Sequence, residues 1–316
     1  MVEATTHNVK VTIIGGAGRV GSSAAFALQC GGVVSDLQLL DANAAVAEGE
    51  ALDLLHGAAF AADQRIHAGD YARAADSDLF VITAGLRRQP DESRLDLINR
   101  NAALLVGILD RLKSAGLRRD VLLLVVSNPV DILTRLAVQR LNWPPAQVLG
   151  LGTMLDTTRF SSLIAEELGL APTQVKALVL GEHGDSMVPV WSSAVVNGLP
   201  LAGLPTFTPA FQNRVFERTR GSGAEVIRKK GGAGWAVALA IREVIHAVAL
   251  NQRRLLPVSA LVQSVYGLRD LCLSVPCVVG RSGIESQVEL KLWPKELMGL
   301  QQSAKALTDA WAALKR

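Results

Sequence analysis

At 316 residues the chain is longer than a typical domain, and since a single core stops growing near ~250–300 residues, two lobes are expected. Hydrophobic residues make up 49% and charged residues 19%, without a long block of one sign, which excludes a disordered chain. The 32 basic and 29 acidic side chains leave a formal charge of +3, too small and too dispersed for a nucleic-acid surface. No apolar run approaches the ~18–20 residues of a membrane helix, and residues 1–10 lack the apolar segment of a secretory signal. Cys30, Cys272 and Cys277 show neither metal-ligand spacing nor an even disulfide framework, so they read as reduced thiols. The expectation is a cytoplasmic protein with no bound metal and no membrane or nucleic-acid partner.

In chain order, short apolar runs at 9–14, 37–40, 79–83, 121–126 and 148–151 predict strands buried on both faces. Segments of helical length and composition lie between them at 21–30, 44–56, 97–114 and 131–141, giving a βαβ series. The fold class is therefore α/β, with a Rossmann-type doubly wound parallel sheet over residues 1–150. Residues 151–316 change character and predict a mixed α+β substrate domain: a helix at 155–168, an apolar stretch at 175–180 and strands at 255–265 and 271–279. The chain ends in an amphipathic helix, because Leu297, Leu300, Ala304, Leu307, Trp311 and Leu314 recur at three- and four-residue steps. That stripe is expected to cover core.

Directly after the first predicted strand stands Gly15-Gly16-Ala17-Gly18-Arg19-Val20-Gly21, which contains a G-x-G-x-x-G opening a helix. Gly16 is expected to make the tight turn, Gly18 to let the backbone approach a pyrophosphate, and Gly21 to permit close helix packing. Twenty residues beyond Gly21, Asp41 ends the second strand, where a carboxylate accepts hydrogen bonds from ribose hydroxyls and repels a 2′-phosphate. The cofactor expected is NAD. Arg19 either leans on the pyrophosphate or is solvated. A glycine turn beside a surface aspartate is the bland alternative.

Of His7, His56, His67, His183 and His246, His183 alone sits in a glycine-flanked polar turn after an apolar strand, as suits a proton acceptor of near-neutral pKa. Four segments resemble those of the lactate and malate dehydrogenase family, and the likeness spans nearly the whole chain. They are Ala84-Gly85-Leu86-Arg87-Arg88-Gln89-Pro90-Asp91-Glu92-Ser93-Arg94, Ser127-Asn128-Pro129-Val130-Asp131, Leu155-Asp156-Thr157-Thr158-Arg159-Phe160 and Gly181-Glu182-His183-Gly184-Asp185-Ser186. The resemblance implies that His183 exchanges the substrate's hydroxyl proton while Asp156 fixes and stabilises the imidazole. Arg159, one helical turn from Asp156, would pair bidentately with the C1 carboxylate of a small 2-hydroxy or 2-oxo acid. Asn128 would donate to the C2 oxygen, and residues 84–93 would form a lid that brings Arg94 onto the C2 carbonyl. For Asp156 a helix cap, for Asn128 a turn residue and for Arg94 a solvated arginine are the structural alternatives. The same resemblance adds Val20, Thr83, Ala84, Gly85, Asn101, Ser127 and Asn128 to the cofactor-lining set and implies a homodimer or homotetramer.

Two positions bear on the substrate. Arg88, six before Arg94, stands where malate-selective members of the family have Arg and lactate-selective members Gln; Ala233, assigned to a further helix, replaces the Thr usual in lactate dehydrogenases. Malate and oxaloacetate are therefore the expected pair, with lactate and pyruvate as the alternative, since residues 91–94 and 181–191 resemble the lactate branch. Ser161 and Lys176 replace the Arg and His of members activated by a sugar bisphosphate, so that activation is not expected. A metal-dependent NAD glycosidase and a non-catalytic NAD sensor are the readings from other classes.

Overall fold

The computed structural model describes residues 9–87 and 91–314. The first half comprises β1 (Lys10–Ile14), α1 (Arg19–Gly31), β2 (Asp36–Leu40), α2 (Ala44–Gly57), β3 (Arg65–Ala68), β4 (Leu79–Ile82), α3 (Arg94–Ser114), β5 (Leu122–Val125), α4 (Val130–Leu141) and β6 (Val148–Gly150). The second comprises α5 (Met154–Leu168), β7 (Val175–Leu180), β8 (Val188–Val196), β9 (Leu199–Pro200), α6 (Pro209–Lys230), α7 (Trp235–Ala249), β10 (Arg254–Val262), β11 (Leu271–Gly280), β12 (Gly283–Gln287) and α8 (Pro294–Ala312).

Strands β1 to β6 pair in parallel, in the order β3-β2-β1-β4-β5-β6. The order runs outward from β1 in both directions, so a crevice opens where the carboxyl ends of β1 and β4 diverge, the usual ligand position in such sheets. All five residues of β1 are buried, as expected of a central strand covered on both faces, and fully burying a side chain such as Ile13 contributes about 1.5–3 kcal/mol. Its one buried hydroxyl, on Thr12, lies 2.8 Å from that of Ser77. Local chemistry sets the helix starts: the Asn43 side chain accepts the Val46 N–H ahead of α2, and Ser93 accepts the Asp96 N–H ahead of α3.

The second half extends the same sheet. Strands β10, β11 and β12 run antiparallel and join the parallel set through Ser259 of β10 opposite Gly150 of β6, making nine strands among the described residues. Strands β7, β8 and β9 form a separate antiparallel sheet. The terminal helix α8 buries Leu300, Ala304, Leu307 and Trp311, and Leu314 just beyond it, as the amphipathic stripe predicts. Glu296 in its first turn accepts the Ser192 N–H and hydroxyl at 2.9 and 2.6 Å, tying α8 to β8. Ala233 is not on a helix: α6 ends at Lys230, Gly231 and Gly232 both take positive φ, and α7 begins at Trp235. No described helix is long and apolar enough to cross a membrane.

Candidate active site

At the carboxyl ends of β1, β2 and β4 lies a cleft of about 1150 Å³, lined in part by Gly15, Gly18, Asp41, Thr83, Ala84 and Gly85. The turn that shapes it differs from the sequence expectation by one residue. Gly15, not Gly16, takes the left-handed conformation, with φ of +92°. Gly21 packs as expected, since a Cβ there would stand 2.2 Å from the Gly15 carbonyl oxygen. Helix α1 follows Gly18 without any side-chain cap, which leaves its first N–H groups and the positive end of its dipole without a side-chain partner, as the binding of an anion requires. Just after β2, Asp41 accepts the Ala17 N–H at 3.1 Å and the Asn43 N–H at 3.0 Å, which orients its carboxylate beside the glycine turn. An uncapped helix start, an open glycine turn and an oriented carboxylate fit the pyrophosphate and adenosine ribose of a dinucleotide.

The remaining cofactor-lining candidates are tied to the main chain. The Thr83 hydroxyl donates to the Ile14 and Gly15 carbonyls, and Ser127 donates to Ala84 at 2.5 Å. Asn101 is buried, and its amide accepts from the Leu86 N–H at 2.7 Å and donates to the Leu86 carbonyl at 3.3 Å. It thus anchors the start of the segment read as a lid. Arg19, exposed at the start of α1 beside Val20, donates to the carbonyls of Lys230 and Gly232, tying the cofactor turn to the turn that carries Ala233.

The second cluster assembles from α5, α4 and the turn after β7. His183 Nδ1 lies 2.5 Å from Asp156, whose other oxygen accepts from Arg159 at 3.1 Å. Asp156 is 1% exposed, whereas the His183 side chain is 20% exposed, which leaves Nε2 as the nitrogen able to meet a substrate. Burial alone would push the Asp156 carboxyl up, but the His183 and Arg159 charges outweigh it and hold the group below the usual carboxylate range. In the same way burial would lower the His183 imidazole, yet the Asp156 charge and hydrogen bond leave it above its ordinary value. Exposed Arg94, the first residue of α3, lies 3.4 Å from Glu182 and 3.6 Å from Asp185, beside the His183 turn. Asn128 is exposed at the carboxyl end of β5. Arg88 lies outside the described residues.

Sequence reasoning missed Asp131. The sequence places it at the start of the 131–141 helix and at the end of the Ser127–Asp131 segment and gives it no role of its own, yet this 2%-exposed residue accepts the main-chain N–H of His183 at 2.8 Å through its carboxylate. No local signal marks it, because the two residues are 52 apart in the chain. Cys272 and Cys277 are buried in β11, and burial pushes both thiols up, Cys277 to about 12.

A dinucleotide cleft together with a half-buried histidine on a buried aspartate, and a paired arginine one turn from that aspartate, is the arrangement of a nicotinamide-dependent dehydrogenase acting on a small acid. The model of the lactate/malate dehydrogenase NAD binding domain matches residues 9–150, and that of the family's alpha/beta C-terminal domain matches residues 153–315. The L-lactate dehydrogenase of Synechococcus sp. (strain JA-3-3Ab) is 40% identical over 304 residues, covering 95% of this chain and 97% of that protein. That of Treponema denticola is 40% identical over 311 residues, covering 96% and 98%. Among solved structures, the minor L-lactate dehydrogenase of Enterococcus mundtii superposes with a TM-score of 0.93 at 34% identity, covering 98% of this chain and 99% of that one. The chain belongs to the lactate/malate dehydrogenase family and is an NAD-dependent 2-hydroxy acid dehydrogenase.

These relatives overturn the expectation of malate and oxaloacetate. That reading rested on Arg88 and Ala233 alone, whereas the relatives named L-lactate dehydrogenase match over nearly their full length. Inferring a distal carboxylate from Arg88 presupposes that this side chain, and not that of neighbouring Arg87, faces inward. A one-residue difference in lid register removes the inference. Ala233 lies in a turn and not on the helical face assumed for it.

Proposed function

We propose that the chain is an L-lactate dehydrogenase, interconverting pyruvate and L-lactate with NAD. The observation that carries this reading is the full-length likeness to proteins named L-lactate dehydrogenase, joined to Arg159 beside the His183–Asp156 pair as a partner for the substrate carboxylate. The bound dinucleotide supplies hydride donation and acceptance at its nicotinamide. The chain does the rest. The α1 start, the Gly15–Gly18 turn and Asp41 hold the pyrophosphate and ribose, and Thr83, Ala84, Gly85, Ser127 and Asn128 border the reactive end.

In the reductive direction Arg159 pairs with the pyruvate carboxylate and sets the orientation of C2. Asn128 and Arg94 donate to the C2 oxygen as its negative charge grows. Protonated His183 then delivers its Nε2 proton to that oxygen, giving the hydroxyl, while Asp156 holds the imidazole at Nδ1 and favours its charged form beforehand. Oxidation of lactate reverses each step, with neutral His183 taking the hydroxyl proton. With NADH, kcat/KM is expected to be higher for pyruvate than for oxaloacetate in steady-state assays. Absence of pyruvate turnover would overturn the reading.

We also infer a homodimer or homotetramer. The support is apolar surface on neighbouring helices: Phe26 of α1, Leu52 and Leu55 of α2 and Trp235 of α7 are each 47–67% exposed, and Phe60 after α2 is 98% exposed. Light scattering should return two or four times the chain mass at micromolar concentration, and Phe60→Asp should lower it. A wild-type monomer under those conditions would refute the assembly.

A further inference from the structure

We propose that Asp131 is a positioning residue for the reaction, its buried carboxylate holding the main chain of His183 where the imidazole meets the substrate. The proposal rests on the reading of His183 as proton donor and acceptor. Asp131 lies in the first turn of α4, where the helix dipole favours an anion. One carboxylate oxygen accepts the His183 N–H at 2.8 Å, and the other accepts the hydroxyl of buried Ser259, on β10, at 2.6 Å. Three elements distant in the chain are thereby fixed against one another: α4, β10 and the turn after β7.

The geometry has a second consequence. Asn128 lies in the connection after β5 and Asp131 in the first turn of α4 that directly follows, and the Asn128 side chain accepts the Val130 N–H at 3.3 Å. This β5–α4 junction therefore sets both groups assigned to the C2 oxygen, Asn128 directly and His183 through its main chain. A shift of about 1 Å in either is enough to cost on the order of 10²-fold in rate.

Asp131 also contributes charge. The groups facing His183 are Asp156 and Arg159 from α5 and Asp131 from α4; the two carboxylates favour the imidazolium and Arg159 opposes it. Around Asp131 itself stand Ser259 from β10, His183 and Glu182 from the turn, and the neutral thiol of Cys272 from β11. Burial lifts the Asp131 carboxyl to about 6 despite its two donors, so keeping it charged opposes folding, which an apolar residue at this position would not. A purely structural brace would need an acceptor but not a charge.

Two variants separate these contributions. Asp131→Asn keeps an acceptor for the His183 N–H and removes the charge; Asp131→Ala removes both. With the full-length enzyme and NADH, Asp131→Ala is expected to lower kcat for pyruvate roughly 10- to 100-fold, with the NADH Kd from nucleotide fluorescence within about 2-fold of wild type. Asp131→Asn should recover most of that kcat below neutral pH. Its alkaline limb of kcat/KM for pyruvate should move down by roughly half to one pH unit, because one of the charges favouring protonated His183 is gone. If Asp131→Ala does not fold, the Asp131→Asn pH profile still decides. An unmoved limb in Asp131→Asn, or wild-type kcat in Asp131→Ala, would overturn the proposal. His183→Asn measured alongside distinguishes the two failures: if it retains turnover, the reading of His183 is at fault and not the role given to Asp131.

Discussion

Replacing His183 by Asn is expected to lower kcat for pyruvate reduction by 10²-fold or more, the usual contribution of a positioned general acid being ~10²–10⁴-fold. NADH affinity should change little, because the dinucleotide cleft draws on Gly15, Gly18 and Asp41, on elements apart from the His183 turn. The pH dependence supplies an independent check. Asp156 holds the folded-state imidazole above its ordinary value of ~6.5, and pyruvate reduction requires the protonated ring. Activity in that direction is therefore complete at lower pH and is lost as pH rises through the raised value. Lactate oxidation requires the neutral ring and is lost as pH falls through the same value. Steady-state kcat/KM profiles in both directions should place these limbs above pH ~6.5. A His183→Asn enzyme within ~10-fold of wild type would remove His183 from the mechanism, as would limbs below that pH.

Replacing Arg159 by Met should have an effect of similar size through binding. Its guanidinium stands against Asp156 at 3.1 Å with its side chain 15% exposed, so a substrate carboxylate paired there is largely withdrawn from water. Losing one partner of a desolvated, hydrogen-bonded charge pair costs ~2–5 kcal/mol, so kcat/KM for pyruvate should fall roughly 30- to several-thousand-fold, mostly as a rise in KM. Arg159→Lys should recover only part of the loss, because an ammonium does not reproduce the two-pronged guanidinium contact. Some loss in kcat should accompany both variants, since Arg159 also helps keep Asp156 charged beside His183. A pyruvate KM close to wild type in Arg159→Met would place carboxylate recognition elsewhere.

Both arguments draw on residues legible without a structure, and the reason is locality. Parallel strands buried on both faces announce themselves as apolar runs: β1, β4, β5 and β6 fall within the runs read from the sequence, and β2 exceeds its run only by Asp36. The glycine turn and Asp41 belong to one βαβ unit, so their spacing is set by a single helix and strand. Asp156 and Arg159 share one helical turn, which places them together whatever the rest of the chain does. Among the elements that short-range pattern did not place are β8, interrupted by Pro189 and Ser192, β3, in which only Ile66 is buried, and the short strands β9 and β12 and the largely polar helix α6.

The tertiary structure decided whatever depends on contacts between distant segments. The apolar runs at 255–265 and 271–279 predict strands but not their neighbours; the Ser259–Gly150 pairing shows that they extend the first sheet. The Asp131 contact to His183 spans 52 positions and the Arg19 contact to Lys230 spans 211, so no motif window contains either pair. Asp131 is the sharper case. Alone it reads as a polar residue opening a helix, and it becomes part of the site only because folding withdraws it from water and hydrogen-bonds it to the His183 N–H and the Ser259 hydroxyl. Local sequence thus specified which chemical groups the site contains, while long-range packing specified how they are held, because hydrogen bonds and burial depend on distance in space and not on distance along the chain.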